Sequence, residues 1–475
     1  MNILLTGATG YIGRRLKEKL LRDNNVRLRL FVRNANKVRD KFRDRVEIAE
    51  GNTLEKESLR EALKGIDTAY YLVHSMGAKA DFEKLDRLSA QNFLEACLEN
   101  KVKRIIYLGG LGQKETASKH LRSRLETGEI LSSRPERIQT LWFRAGVIIG
   151  SGSASFEIIR HLVQKLPLLI TPKWVRTQTQ PIAVDDVLEY LSQAKGLTAQ
   201  ESLTIDIGAQ RMSFKQMLLG AADAMGLKRR LIPLPVLTPW LSSYWLMLMT
   251  PVPFPVAGAL IHGLKSETVV QNENARKYFP RIHPRSYQEA FARALEEIVQ
   301  KQVLSRWCDS SAKEKCDIMG RDRIESAVFR EKLQYGFNDI PAEKVFSSLK
   351  SIGGENGWFR FEWLWRLRGL MDQIVGGPGL SRGRRDPHEL RIGDGLDFWK
   401  VVDLVPNKRL LLVNQMKAPG TAWLEFTIEG NTLTETAHFY PKGIWGRLYW
   451  YLTNPLHKLV FPNIAKGIIK KASKL

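Results

Sequence analysis

Over the first 150 residues, short apolar runs alternate with stretches whose apolar positions recur every three or four residues. Ile3-Leu4-Leu5, Val26–Val32, Val46–Ala49, Thr68–Val73, Arg104–Leu108 and Gln139–Phe143 predict strands. Between them, Tyr11–Leu21 (with Ile12, Leu16 and Leu20 on one face), Glu55–Leu63, Asp81–Asn100 and Ser118–Ser132 predict helices. Strands and helices in this rhythm predict a doubly wound parallel sheet with right-handed crossovers, the α/β class. Tyr287–Ser305 reads as a further helix, and Cys308–Asp317 is polar without a period.

Beyond that stretch the period falls to two. Glu325–Leu333, Trp358–Phe361, Asp397–Leu404, Leu410–Met416, Ala422–Glu429 and Thr432–Tyr440 predict strands, with turns at Pro419-Gly420 and Gly430-Asn431. A helix at Ala342–Ile352 and a long closing helix complete an α+β pattern. The expected organisation is residues 1–306 with a small apolar substrate lobe at about 210–285, a linker at 307–317, and a second domain at 318–475.

The 475 residues carry 73 Lys+Arg against 50 Asp+Glu, a formal charge of +23. Such a balance suits nucleic acid, anionic lipid or a phosphorylated ligand. No nucleic-acid-binding motif is present, so nucleic acid is not expected. Cys97, Cys308 and Cys316 form no CxxC pair, so neither a disulfide framework nor a metal site is expected. The first strand begins at Asn2, which leaves no room for a signal peptide and predicts a cytoplasmic protein.

The first strand runs into Gly7, Gly10 and Gly13, and the last lies one turn into a helix. Glycines let the backbone approach a pyrophosphate, and free N–H groups at a helix N-terminus point at it. The second strand ends in Arg33, Asn34 and then Lys37, with no carboxylate. A guanidinium suits a ribose 2′-phosphate, which predicts NADP(H) over NAD(H); a solvated arginine at a strand end is the plainer reading. His74 and Ser75 end the fourth strand, near a ligand bound beyond the strand termini.

TGATGYIG, GNTLEKESLREALKGID, AYYLVHSM, KRIIYLGGLG and FRAGVIIG together resemble the atypical branch of the short-chain dehydrogenase/reductase family, similar to its NmrA-like and complex I 39-kDa-subunit-like members. SASFEIIRHLVQKLPLLITPKWVRTQTQPIAVDDVLEYL and LKRRLIPLPVL resemble one bacterial subgroup, and the likeness runs to about residue 304. It implies a Rossmann domain with cofactor contacts from Thr6, Gly7, Thr9, Gly10, Tyr11, Ile12, Gly13, Arg33, Asn52, Leu72, Val73, His74 and Arg144. Active members of that family place a Ser or Thr at the end of the fifth strand and a YxxxK pair on the next helix. This chain has Gly109 and Gly110 in the first place. In the second, His120 and Arg124 are the best-aligned pair. His120 could move a proton near neutral pH and Arg124 could hold a ribose; equally, both could be polar residues on a helix face. Asp185 reads as a helix N-cap.

Leu231–Leu264 contains no charged residue and six prolines; its longest Pro-free piece, Trp240–Thr250, is too short to span a bilayer. It predicts either a buried helix pair lining a pocket or a patch dipping into a lipid interface. The tail from Pro441 carries seven Lys+Arg and no acid. There Ile464, Ala465, Ile468, Ile469, Ala472 and Leu475 oppose Lys466, Lys470, Lys471 and Lys474, and Trp445, Tyr449, Trp450 and Tyr451 come before them. That pattern serves membrane-surface binding and core packing alike. The second domain resembles the helix-grip, START-like class, and more closely a module of unknown function fused behind atypical reductases, on Asp397-Phe398-Trp399 and Tyr440–Pro455.

The reading is an NADPH-linked reductase for a lipid- or quinone-like carbonyl, cytoplasmic or peripheral on the inner face of an anionic membrane. A non-catalytic NADP(H) sensor or membrane-complex assembly factor is the alternative, and a lipid carrier a third.

Overall fold

The computed structural model describes residues 1–35, 38, 42–74, 82–171, 173–233, 266–300, 327–359, 361–374, 377, 379, 384–441 and 443–474. Lys37, Ser75, Cys308, Cys316, Leu475, the linker and all but the start of the apolar middle lie outside these. The described residues fall into two compact units, before and after the linker.

The first unit is built on a seven-stranded parallel sheet. Its strands are β1 (Asn2–Thr6), β2 (Arg27–Val32), β3 (Glu47–Glu50), β4 (Thr68–Tyr71), β5 (Arg104–Gly110), β6 (Gln139–Ala145) and β11 (Leu203–Ile207), in the order β3-β2-β1-β4-β5-β6-β11. Ile3, Leu4 and Leu5 are all fully buried, because a central parallel strand is covered on both faces. Ile3 and Leu5 join one core with Leu16, Leu20, Val187 and Leu191; Leu4 joins the other with Leu59, Phe93 and Leu125. Helices α1 (Tyr11–Leu20) and α6 (Val184–Ala194) therefore cover one face, and α2 (Lys56–Ala62), α3 (Phe82–Glu99) and α4 (Lys119–Leu131) the other. Each fully buried Leu or Ile contributes about 1.5–3 kcal/mol.

Strand order reverses between β1 and β4, which opens a crevice at their carboxyl ends. Three short pairs lie outside this sheet: β7 (Ile148–Ile149) with β10 (Ile182–Ala183), β9 (Gln178–Thr179) with β12 (Met212–Ser213), and β8 (Leu168–Thr171) with β13 (Arg230–Pro233). Helices α5 (Ala154–Lys165), α7 (Phe214–Ala224) and Tyr287–Val299 accompany them. Asp185 is not the cap of α6: Ala183 holds that position, and the Asp185 carboxylate pairs instead with Arg293 Nε at 2.8 Å.

The second unit is a six-stranded antiparallel sheet in the order β14-β19-β18-β17-β16-β15. It comprises β14 (Phe329–Gly336), β15 (Gly395–Leu396), β16 (Trp399–Val405), β17 (Arg409–Asn414), β18 (Gly420–Glu429) and β19 (Thr432–Pro441). The closing helix Gly443–Ala472 packs on it, with Phe461, Ile464, Ala465, Ile468 and Ala472 in a core shared with Leu412, Leu424 and Leu433. The apolar stripe of the tail is thus spent on the sheet. Trp358, Phe359 and Phe361 do not lie in the strand expected there: Phe359 and Phe361 have φ of 69° and 58°. Trp358 is buried, and its indole N–H donates to Asp397 at 2.8 Å.

Candidate nucleotide and active site

At the crevice, the turn after β1 is drawn tight by the Gly10 amide donating to Gly7 O at 2.9 Å. Gly7 has φ +65°, and a Cβ there would stand 2.4 Å from Leu72 O. A Cβ on Gly13 would stand 2.1 Å from Gly7 O. Helix α1, the turn and β4 are therefore packed backbone to backbone. Gly10 caps α1 with no side-chain acceptor, so the helix start is not closed by a protein oxygen from its cap. That cradle fits a pyrophosphate, which brings its own negative charge to the helix N-terminus.

Thr6 and Leu72 hold the crevice open. Thr6 Oγ1 donates to Tyr70 O at 2.9 Å and accepts from Leu72 N at 3.1 Å, bridging the strands where their ladder ends. Thr9 O accepts from Arg14 Nε, and the Tyr11 hydroxyl donates to Ser151 O at 3.1 Å, with burial pushing its pKa up. Ile12 is half-buried against the core. Asn52 Oδ1 accepts from Leu54 N, an Asx turn that opens α2. Arg33 is exposed just past β2, and nearby the Glu50 carboxylate accepts from Ala35 N at 2.9 Å.

A second group of side chains collects past β4 and β5. His74 follows β4, with Val73 half-buried before it; its Nδ1 lies 3.2 Å from Asp86 Oδ2 on α3. Ser123 on α4 donates to the same oxygen at 2.8 Å. His120, also on α4, stacks on Phe82 with ring centroids 4.4 Å apart and meets His74 edge-on at 6.4 Å. Burial pushes the pKa of both imidazoles down; for His120 the neighbouring His74 adds to it. Arg124 donates to Leu108 O at 3.3 Å. Three buried atoms here have no partner among the described residues: His74 Nε2, His120 Nδ1 and Arg124 Nε.

The glycines at the end of β5 lie close against side chains. A Cβ on Gly109 would stand 2.5 Å from Trp142 Nε1, and one on Gly110 2.5 Å from Leu121 Cδ1. Trp142 in turn lies on Gly128 of α4, where a Cβ would be 2.1 Å from its ring. The space beside Gly109 is taken by the Trp142 indole, and that beside Gly110 by the end of the flexible Leu121 side chain.

Arg144, near the end of β6, is paired with an acid. Its Nε and Nη2 donate to the two carboxylate oxygens of Asp206 on β11, at 2.6 and 2.9 Å. Asp206 also accepts from Gln271 N at 2.9 Å. Sequence reasoning missed both Asp86 and Asp206. Each had a signal: Asp86 occupies the stripe that continues through Ala90, Phe93 and Cys97, and Asp206 interrupts the apolar strand Leu203–Ile207. Among the described residues no cluster of His, Cys, Asp or Glu is disposed to hold a metal.

The sequence profile of a family described as NAD(P)H-binding matches residues 7–134, and that of a family of unknown function matches residues 324–464. No curated protein matches the chain. Among solved structures, a nucleoside-diphosphate-sugar epimerase from Staphylococcus aureus is 18% identical with a TM-score of 0.51, over 62% of this chain and 100% of its own. The triphenylmethane reductase of Citrobacter sp. complexed with NADP(H) is 19% identical with a TM-score of 0.51, over 62% of this chain and 99% of its own. At such identities the likeness is one of fold. The N-terminal unit is thus an NAD(P)H-binding domain of Rossmann type, similar in architecture to epimerases and reductases.

Proposed function

We propose that the N-terminal unit is an NADPH-linked oxidoreductase for an apolar carbonyl compound, lipid-like or quinone-like. The observation that carries this reading is the trio of buried polar atoms on His74, His120 and Arg124, at the carboxyl edge of the sheet, that have no partner among the described residues. Each costs about 1–3 kcal/mol unless something complements it. Gly7, Gly10 and Gly13 would hold the pyrophosphate and Arg33 the 2′-phosphate, hence NADP(H) over NAD(H). A bound reduced nicotinamide supplies a hydride equivalent. His120 transfers the accompanying proton at the substrate oxygen, its ring held by Phe82. Arg124 donates its Nε–H to that oxygen, and Asp86 fixes the ring of His74 through Nδ1. Burial keeps both imidazoles neutral at pH 7, so reductive turnover rises as pH falls and the proton-donating form grows.

The filled space beside Gly109 and Gly110 favours the other reading, a non-catalytic sensor or assembly factor. Incubating the protein with NADPH and membrane extract separates them. Turnover that His120→Ala removes supports catalysis; binding of NADPH without turnover refutes it and leaves the sensor.

The membrane-surface part of the proposal rests on the second unit, which we read as helix-grip-like. The first half of the closing helix exposes Ile444, Trp445, Leu448, Tyr451 and Leu452, with Trp445 73% exposed. The helix Glu362–Ile374 exposes Trp363, Leu367, Leu370 and Met371, and Arg368 ties the two helices by donating to the Tyr449 hydroxyl at 2.6 Å. Aromatic and aliphatic side chains beside an acid-free basic segment suit an anionic lipid interface. No helix among the described residues is long and apolar enough to cross a membrane. Trp445→Ala with Leu452→Ala should reduce cosedimentation with phosphatidylglycerol vesicles several-fold; unchanged binding would refute this surface.

A further inference from the structure

Beneath the closing helix, where it crosses β14 and β19, the core of the second unit holds polar groups that its packing leaves unused. Strand alternation puts Glu435 on the helix-covered face with Leu433 and Ala437, and its cross-strand neighbours are Phe426 and Leu333. It is 1% exposed, and neither carboxyl oxygen has a hydrogen-bond partner among the described residues. Glu331, one register step away on β14, adds a second carboxyl whose Oε2 is buried and unpartnered. His457 comes from the helix. Its Nδ1 stands 3.6 Å from Glu331 Oε2, beyond hydrogen-bond reach, and is itself unpartnered. One turn earlier, Asn454 Oδ1 is in the same condition.

Buried polar atoms in a folded protein are nearly always paired, so a cluster of orphans asks for a ligand. Four of the five atoms are oxygens, and each carboxyl keeps an accepting carbonyl oxygen in either protonation state, as does the Asn454 amide. The missing partner is therefore a donor. A metal ion is disfavoured, because among the described residues no three His, Cys, Asp or Glu side chains are disposed to hold one. The walls are aromatic: His457 packs against Trp450 and Phe461, with ring centroids 5.0 and 4.8 Å away, and Trp450 stacks on Phe329 and Phe439. Such walls suit an apolar body and the face-on approach of a cation.

We propose that Glu435, Glu331 and His457 form a binding site, between the β14–β19 edge of the sheet and the closing helix, for an apolar molecule carrying an ammonium group. The ammonium donates to the two carboxylates and the apolar remainder lies along Trp450, Phe426 and Phe461. Pro455 and Pro462 lie inside the helix on either side of His457. Neither has an N–H to donate, so this stretch is fastened by fewer helical bonds and offers a way in.

Burial, reinforced by Glu331, pushes the Glu435 carboxyl well up, and burial raises Glu331 too. The other charges facing the site are Lys458, which opposes the rise at Glu331, and Arg368, which adds to the fall at His457. An entering ammonium ionises a carboxyl and releases its proton.

Calorimetry on the full chain at pH 7, in buffers of different ionisation enthalpy, tests this with octylamine, 1-octanol and octanoate. Octylamine should bind at least ~10-fold tighter than either analogue, as expected of a charge-assisted hydrogen bond, and release a proton. Glu435→Gln, isosteric with the neutral acid, should abolish the release and weaken octylamine by roughly 10- to 100-fold. Equal binding of the three probes, no binding of octylamine, or an unaltered Glu435→Gln overturns the proposal. Should Glu435→Gln fail to fold, Glu331→Gln carries the same test, and unaltered octylamine binding there overturns it equally.

Discussion

Replacing Gly7 by alanine tests the backbone cradle on which nucleotide binding depends. Two costs are built into that position. Its φ of +65° is a left-handed conformation that charges an L-residue about 1–2 kcal/mol. Its Cβ would also stand 2.4 Å from Leu72 O, a backbone atom of the neighbouring strand. The turn or β4 must move by roughly 1 Å, an overpacking cost of about 1–3 kcal/mol. Gly65 separates the two effects: it has φ +71°, and nothing lies within 4 Å of its Cβ position. Gly65→Ala should therefore lose about 1–2 kcal/mol of stability and leave nucleotide binding unchanged. Gly7→Ala should lose about 2–5 kcal/mol, from both terms together. By misplacing the amides of the turn proposed to hold the pyrophosphate it should also weaken NADPH by about 10²-fold or more. Thermal melts followed by circular dichroism read the first quantity and titration calorimetry the second. A folded Gly7→Ala chain that binds NADPH as the parent does would refute the cradle.

Arg33→Asp should shift preference from NADPH toward NADH in the same calorimeter; an unchanged ratio would show that Arg33 does not read the ribose phosphate. His457 gives a signed pH effect. Burial pushes its pKa down to about 4 from an ordinary 6.5, so between those values the unfolded chain binds the extra proton and stability is lost as pH falls. At 1.36 kcal/mol per pKa unit the loss reaches about 3 kcal/mol, and His457→Phe should flatten it in urea melts between pH 7 and 4. Glu435 has the opposite sign: its raised pKa contributes stability that is lost as pH rises, so Glu435→Gln should melt higher than the parent at pH 8.

How much of this was legible depended on whether the information was local. The alternation of strands and helices was, because β1, β4 and β5 are buried on both faces and read as continuous apolar runs. The helix Glu362–Ile374 was not. Trp363, Leu367, Leu370 and Met371 recur at helical spacing, but they are exposed, and the core takes Trp365 and Asp372 from the other side, so the stripe does not mark the packed face. Trp358 and Phe361 read as strand through their aromatic character, but positive φ at Phe359 and Phe361 shows the tertiary packing of Trp358 prevailing over that preference. The glycine loop announced itself by spacing. The Arg144–Asp206 pair joins residues 62 apart through a strand register that no local pattern encodes.

The indole of Trp142, resting on Gly109 and Gly128, bears on how this lineage can change. A side chain at 109 would run into the rigid Trp142 indole, whereas at 110 it would meet only the end of the flexible Leu121 side chain. At 109, then, a smaller residue at 142 has to come first, and that intermediate carries a void of its own. The two positions therefore differ in how readily they accept a side chain: 110 by a turn of Leu121, 109 only together with a change at 142.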